Sequence, residues 1–183
     1  MLTASQKRKE NIAEYLLYMW QIEDLIRANK LDVDLIEKTI IDHYKDLSDE
    51  QRKEMREWYE SLIDMMRREG IEKSGHLQLN KNVIVQLAEL HQALLKDPSF
   101  PDYTAEFYKA LPYIVELRSK SGEMKAGEIE TCFNALYGML MLRLQKKEIS
   151  EATLEAIKRI SSFIALLSRN FHLNEEEKLF KRE

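Results

Sequence analysis

The chain has 183 residues, of which only five are glycine and three are proline, while leucine, glutamate, lysine, isoleucine and methionine are plentiful. This composition is rich in helix formers and poor in residues that favour turns and strands, so it excludes collagen-like and Gly/Pro-rich low-complexity chains and argues against a β-sandwich or barrel. The net charge of −4 gives no long-range attraction to nucleic acid, and the single cysteine excludes an intrachain disulfide.

The first predicted helix spans residues 5–28, where apolar residues recur at spacings of three and four. Leu17 and Trp20 lie outside this stripe, so apolar side chains cover most sides of the helix. A helix of this kind is either surrounded by other helices or covered by a second copy of the chain. This is the main indication in the sequence of self-association.

Six further helices are predicted from the same periodicity and from capping residues. The third ends at Gly70, and residues 71–79 lack a helical period, so they are predicted to form a loop or a short extended segment. The sixth is predicted over residues 128–147. Pro112 lies inside the fifth and predicts either a kink or two short helices. The predicted N-caps of the second to fifth and the seventh helices are Asp32, Ser48, Asn80, Thr104 and Ser150.

We therefore predict an all-α fold, a single-domain antiparallel bundle of six or seven helices over residues 1–172, with the first and sixth helices at its centre. Residues 173–183 are expected to form a charged tail that frays. The longest apolar run has eight residues, against the ~20 that a spanning helix needs, and the N-terminal sequence does not resemble a secretory signal. We expect a soluble, cytoplasmic protein with no membrane partner.

The sequence lacks the motifs of several common chemistries. It contains no Glu-x-x-His or His-x-x-x-His pair, no phosphate-binding glycine loop and no Gly-x-Ser-x-Gly elbow. Cys132 falls on the apolar side of the sixth helix and is predicted to be a buried, unreactive thiol. Short basic runs such as residues 7–9 lie beside acidic residues, which does not favour nucleic-acid binding. We expect no metal, no cofactor, no nucleic-acid partner and no catalytic residue.

Polar residues that fall on predicted apolar faces are the candidate ligand-binding residues: Glu23, Arg27, Arg143 and His91. Because a lone buried charge costs several kcal/mol, each charged group should find a partner or reach water. One interpretation is a structural salt bridge between Glu23 and either Arg27 or Arg143. The other is a cavity in which these groups orient an anionic or polar ligand. His91 is predicted to be a core-edge histidine with one hydrogen bond, with a general base as the alternative.

Two segments carry a family resemblance, NIAEYLLYMWQIEDLIRA at residues 11–28 and CFNALYG at residues 132–138. Together they resemble an uncharacterised bacterial family of small all-helical proteins, known as a domain of unknown function. The resemblance covers nearly the whole chain. It implies an all-helical fold and a bacterial cytoplasmic setting, and it assigns no catalytic residues.

Two functional hypotheses follow from the sequence. The first is a non-enzymatic helical interaction or scaffold protein that self-associates as a homodimer or binds another protein. The alternative is a small-molecule-binding helical module, in which the inward polar residues orient a ligand among apolar walls. An enzyme that uses His91 or a carboxylate ranks last, because no nucleophile or orienting partner lies within one helical turn of that histidine.

Overall fold

A computed structural model describes residues 2–120, 126–176 and 179, and this part of the chain contains helices and no strands. The prediction of an all-α fold is therefore confirmed. A short 3₁₀ helix at Ile41–His43 follows the third α-helix. The eight α-helices in chain order are α1 (Leu2–Glu10), α2 (Ile12–Ala28), α3 (Val33–Thr39), α4 (Asp49–Arg68), α5 (Gln78–Lys96), α6 (Pro101–Lys120), α7 (Glu128–Leu144) and α8 (Glu151–Glu175).

The described residues form eight helices rather than the predicted six or seven because the first predicted helix is interrupted at Asn11. The backbone of Asn11 is extended, with φ −156° and ψ 103°, and its side-chain oxygen accepts hydrogen bonds from the amides of Ala13 and Glu14. Ser168 of α8 donates a further hydrogen bond of 2.8 Å to the same oxygen. An asparagine that caps the following turn ends the helix before it, so the apolar period continues across a break.

The other predicted helix starts are partly right. Asp32, Ser48 and Ser150 each accept hydrogen bonds from the first turn of the following helix. Asn80 is not a cap, because α5 begins two residues earlier and carries the Asn80 side chain inward. Thr104 is also not a cap. Helix α6 begins at Pro101, whose missing N–H and fixed φ suit the first helical position.

Pro112 lies inside α6, which runs without interruption from Pro101 to Lys120. The predicted alternative of two short helices is therefore wrong, and the kink stays a prediction. The side chain of Pro112 is exposed. Neighbouring Ala110 and Ile114 are fully buried, so the core contacts of α6 hold the helix together on both sides of the proline.

Two helix ends differ from the predicted positions. Helix α7 ends at Leu144, three residues before the predicted end. Helix α8 continues to Glu175, so residues 173–175 of the predicted fraying tail are helical. Residues 177, 178 and 180–183 of that tail lie outside the described residues.

The centre of the fold is formed by α2, α5, α7 and α8, each of which packs against the other three. One cluster of buried apolar residues includes side chains from all eight helices. The largest of its completely buried side chains are Phe133 of α7 and Phe163 of α8. Helix α5 therefore packs against α2 on one side and against α7 on another. Buried polar groups of α5 lie close to both of these helices. Within the described residues, no helix combines the length and apolar composition needed to cross a membrane.

Candidate functional site

Glu23 is a completely buried carboxylate, and it is held by three hydrogen bonds from the segment that precedes and opens α5. The Leu77 amide donates to Oε1 at 2.9 Å, and Asn80 Nδ2 donates to the same oxygen at 2.7 Å. His76 Nδ1 lies 2.6 Å from Oε2. The desolvation cost of burying Glu23 is thus offset by a complete set of partners, which is the condition under which a buried charge is tolerated.

The same contacts fix the tautomer and the orientation of His76. Because the carboxylate oxygen can only accept, His76 carries its proton on Nδ1 and presents Nε2 as its second nitrogen. The ring also stacks on Trp20, with 4.0 Å between ring centroids and 13° between ring planes. The His76 side chain is 30% exposed. The ring is thus held by Glu23 at one edge and by Trp20 on one face, and it still reaches the surface.

Arg27, one turn after Glu23, secures the other end of the same loop. Its Nη1 pairs with Asp24 at 2.8 Å, and its Nη2 donates to the carbonyls of Ile71 and Gly75. The predicted salt bridge between Glu23 and Arg27 is therefore not formed. Two charged residues on one turn of α2 instead hold the loop at residues 71–77 against the helix.

Arg143 does not belong to this site, and the prediction that it faces the interior is wrong. Its side chain is exposed, and among the described residues it has no ion-pair partner. Helix α7 ends one residue later, at Leu144. Residues 143–148, at and after the end of α7, are exposed, so the apolar arc of the sequence no longer corresponds to a covered face there. A cation in the last turn of a helix is favoured by the helix dipole.

A cavity of about 210 Å³ lies beside the His76 ring, and we call it the His76 cavity. Two buried polar atoms of residues that line it, Trp20 Nε1 and Asn80 Oδ1, have no hydrogen-bond partner in the described protein. Such atoms are rare in folded proteins and are usually satisfied by water or a ligand. The lining residues are Trp20, His76, Asn80, Lys81, Ile84, Val85 and Glu130.

Trp20 is only 2% exposed, because elements of the same chain cover it. The rings of Phe133 and Tyr137 meet it edge-on, and His76 covers one face. Of the two alternatives stated for this helix, burial by the chain itself accounts for Trp20. Self-association stays a prediction, but it no longer rests on an exposed tryptophan.

His91 is buried in a separate aromatic cluster between α5, α6 and α8. Its Nδ1 lies 2.7 Å from the Tyr103 hydroxyl, and its Nε2 lies 3.5 Å from Oε2 of Glu128, at the long limit of a polar contact. A carboxylate opposite Nε2 favours the proton on that nitrogen, so the Tyr103 hydroxyl donates to Nδ1. Burial raises the pKa of Tyr103, which keeps that proton in place. The predicted histidine with one hydrogen bond is therefore observed, deeper in the core than expected.

Burial lowers the pKa of His91 from its usual 6.5, and the nearby Glu128 only partly opposes this shift. At pH values between the folded and the unfolded pKa of His91, the unfolded chain binds more protons than the folded chain. The stability that neutral His91 contributes is therefore complete above about pH 7 and is lost as the pH falls below about 6.5. We expect His91→Gln to remove a slope of up to about 1.4 kcal/mol per pH unit in this range. Urea unfolding of both proteins between pH 8 and pH 5 measures it.

The exposed His43 supplies the control for that experiment. His43→Gln makes the same change of residue type at an exposed position, so it shows what the substitution does away from the core. Equal slopes for His91→Gln and the unchanged protein would contradict the burial of a neutral imidazole.

Two other expectations concern reactive or metal-binding groups. Cys132 is completely buried, and burial raises the pKa of its thiol, so the prediction of a buried thiol is confirmed. Within the described part of the chain, no group of three or more His, Cys, Asp or Glu side chains is placed to hold a metal ion.

Sequence reasoning found Glu23 but not its partners His76 and Asn80. His76 lies in a segment without a helical period, and Asn80 is of a residue type that is typical of N-caps. The available signal was the inward acid itself, because a buried carboxylate requires hydrogen-bond donors.

Comparison with known protein families gives a match over nearly the whole chain. Residues 1–178 match the family described as Domain of unknown function (DUF4924), and the chain therefore belongs to this family. The resemblance stated from residues 11–28 and 132–138 agrees with this result. No curated protein matches the chain, and no solved structure matches it.

Proposed function

We propose that this member of the DUF4924 family binds a small molecule in the His76 cavity. The observation that carries the proposal is a surface imidazole oriented by a fully buried carboxylate next to a cavity lined by residues with unpartnered polar atoms. Holding an ionised group in the core is costly, and a purely structural contact would be made more cheaply by apolar side chains. Oriented hydrogen-bonding groups among apolar walls are typical of binding sites.

The lining residues indicate the kind of ligand. Ile84 and Val85 supply an apolar wall, and more than half of the Val85 side chain is exposed. In the neutral imidazole with its proton on Nδ1, His76 Nε2 carries no proton and accepts a hydrogen bond. A ligand of this cavity therefore has a compact apolar body and one hydrogen-bond donor. A volume of about 210 Å³ limits it to the size of a substituted single ring.

Phenol and toluene are matched probes for this proposal, because they share a ring and differ in one donor. Trp20 borders the cavity and Trp58 lies on α4, so a Trp58→Phe background leaves Trp20 as the only tryptophan. We expect phenol to change Trp20 emission in a saturable way and to bind about tenfold more tightly than toluene, as one good hydrogen bond allows.

His76→Phe is the diagnostic variant, because it keeps a ring on Trp20 and removes Nε2. It should bind phenol and toluene equally, whereas His43→Phe should retain the preference for phenol. In the unchanged protein, phenol should also shift the ring ¹⁵N resonances of His76, which provides a readout that needs no variant. A preference for phenol that survives in His76→Phe, or no saturable response to either probe, would overturn the proposal.

A further inference from the structure

A second cavity, of about 340 Å³, lies between α5 and the first turn of α7, and we call it the Arg118 cavity. It shares two wall residues, Ile84 and Glu130, with the His76 cavity. The remaining apolar wall comes from Ala88 and Ile129. Apart from Glu130, its polar wall consists of residues that do not line the His76 cavity, so ligand binding here is independent of the proposed function.

Opposite charges line the Arg118 cavity without pairing with one another. Arg118 supplies a guanidinium from α6, and Glu128 and Glu130 supply carboxylates from α7. Within the described residues none of the three takes part in an Arg–carboxylate ion pair, and Arg118 Nε is buried without a hydrogen-bond partner. Arg56 of this chain behaves differently, since it pairs with Asp34, Glu37 and Glu60 together.

The protein contact that Glu128 does make leaves its charge unbalanced. Its Oε2 lies 3.5 Å from His91 Nε2, and its side chain is 31% exposed. Burial keeps His91 neutral at neutral pH, so this contact brings no positive charge to the carboxylate. Glu128 therefore faces the cavity as an anion with one long, neutral contact, and Arg118 faces the same space as a cation.

Unpaired charges of both signs on the wall of one cavity are best matched by a ligand that carries both signs. We propose that the Arg118 cavity binds the head group of a free α-amino acid, with the carboxylate at Arg118 and the ammonium group at Glu128 and Glu130. The apolar side chain of the ligand packs on Ala88 and Ile129. Arg118 suits the carboxylate because its planar guanidinium can bind both oxygens at once.

Isothermal titration of the full chain with three related probes tests this assignment. L-Leucine carries both charges, 3-methylbutylamine lacks the carboxylate, and 4-methylpentanoate lacks the ammonium group. We expect leucine to bind at least about tenfold more tightly than either single-charge probe, because it satisfies both walls of the cavity. Equal binding of the three probes, or no heat from leucine up to about 10 mM, a concentration that detects even mM affinity, would overturn the proposal.

Two variants assign the charges to their residues. Arg118→Gln should weaken leucine binding about tenfold or more and leave the amine unaffected, whereas Glu128→Gln should weaken leucine and leave the acid unaffected. Arg159→Gln and Glu155→Gln are the matched controls, because this pair lies on α8 away from the cavity and its side chains are more than 40% exposed. Loss of leucine binding in a control, or its retention in both cavity variants, would contradict the assignment.

Discussion

Replacing Glu23 with alanine is expected to lower the free energy of unfolding by about 3 to 5 kcal/mol, because the change removes one partner of a buried polar network. The change leaves the Leu77 amide, Asn80 Nδ2 and His76 Nδ1 without their common acceptor. Two of these groups belong to residues that are completely buried, so water cannot replace the lost carboxylate without opening the loop. Urea unfolding at neutral pH, followed by circular dichroism, measures the loss.

Glu23→Gln separates the loss of charge from the loss of shape. The amide oxygen of glutamine can still accept from Leu77 and Asn80, and His76 can change tautomer to accept from the amide nitrogen. We therefore expect a smaller cost, about 1 to 2 kcal/mol. Glu14→Ala on the same helix is the control, because Glu14 is exposed and its ion pair with Lys7 contributes little. If alanine at position 23 costs no more than at position 14, the carboxylate does not hold the loop.

Helical spacing was sufficient to predict the class of fold and the inward direction of Glu23. Both depend on local geometry, because a residue's angular position on a helix follows from its neighbours in sequence. The break at Asn11 depends on a competing local hydrogen bond that the apolar period does not register. An asparagine followed by apolar residues is a capping signal, so this break was within reach of the sequence.

The composition of the site depended on contacts that spacing cannot provide. His76 and Asn80 meet Glu23 across 53 and 57 residues of sequence. No periodicity links a loop residue to a helix so far away, and Asn80 has the same residue type that a cap requires. Arg143 shows the opposite error. Its angular position places it on the apolar face of the helix. That face is buried only where another element covers it, and the end of α7 is not covered.

The placement of His91 depends on an aromatic cluster in which Phe163 of α8 is the common neighbour. The Phe163 ring lies 5.3 Å from the ring of Phe107, 5.5 Å from that of His91 and 5.8 Å from that of Tyr103. These three rings come from α5 and α6, so Phe163 joins three helices in one contact. Phe163, which lies more than 70 positions later in the chain, thus contributes to the burial that lowers the pKa of His91.

Phe163→Ala is expected to cost about 3 to 5 kcal/mol, because the completely buried ring leaves a cavity that the surrounding helices can only partly close. Phe163→Leu should cost about 1 to 2 kcal/mol, since most of the volume is retained. Tyr108→Ala on α6 is the control. Its ring is 62% exposed, and an exposed aromatic residue contributes little to stability. Urea unfolding of the three variants at pH 8 measures these costs while His91 is neutral.

The alanine variant also links the core to the titration of His91. Water that enters the space left by the Phe163 ring reaches the His91 imidazole and reduces the desolvation that lowers its pKa. The folded and unfolded pKa values then lie closer together, so Phe163→Ala should lose less additional stability between pH 7 and pH 5 than the unchanged protein loses. A variant that is destabilised at pH 8 but retains the full acid slope would show that Phe163 contributes packing alone and that other neighbours keep His91 dry.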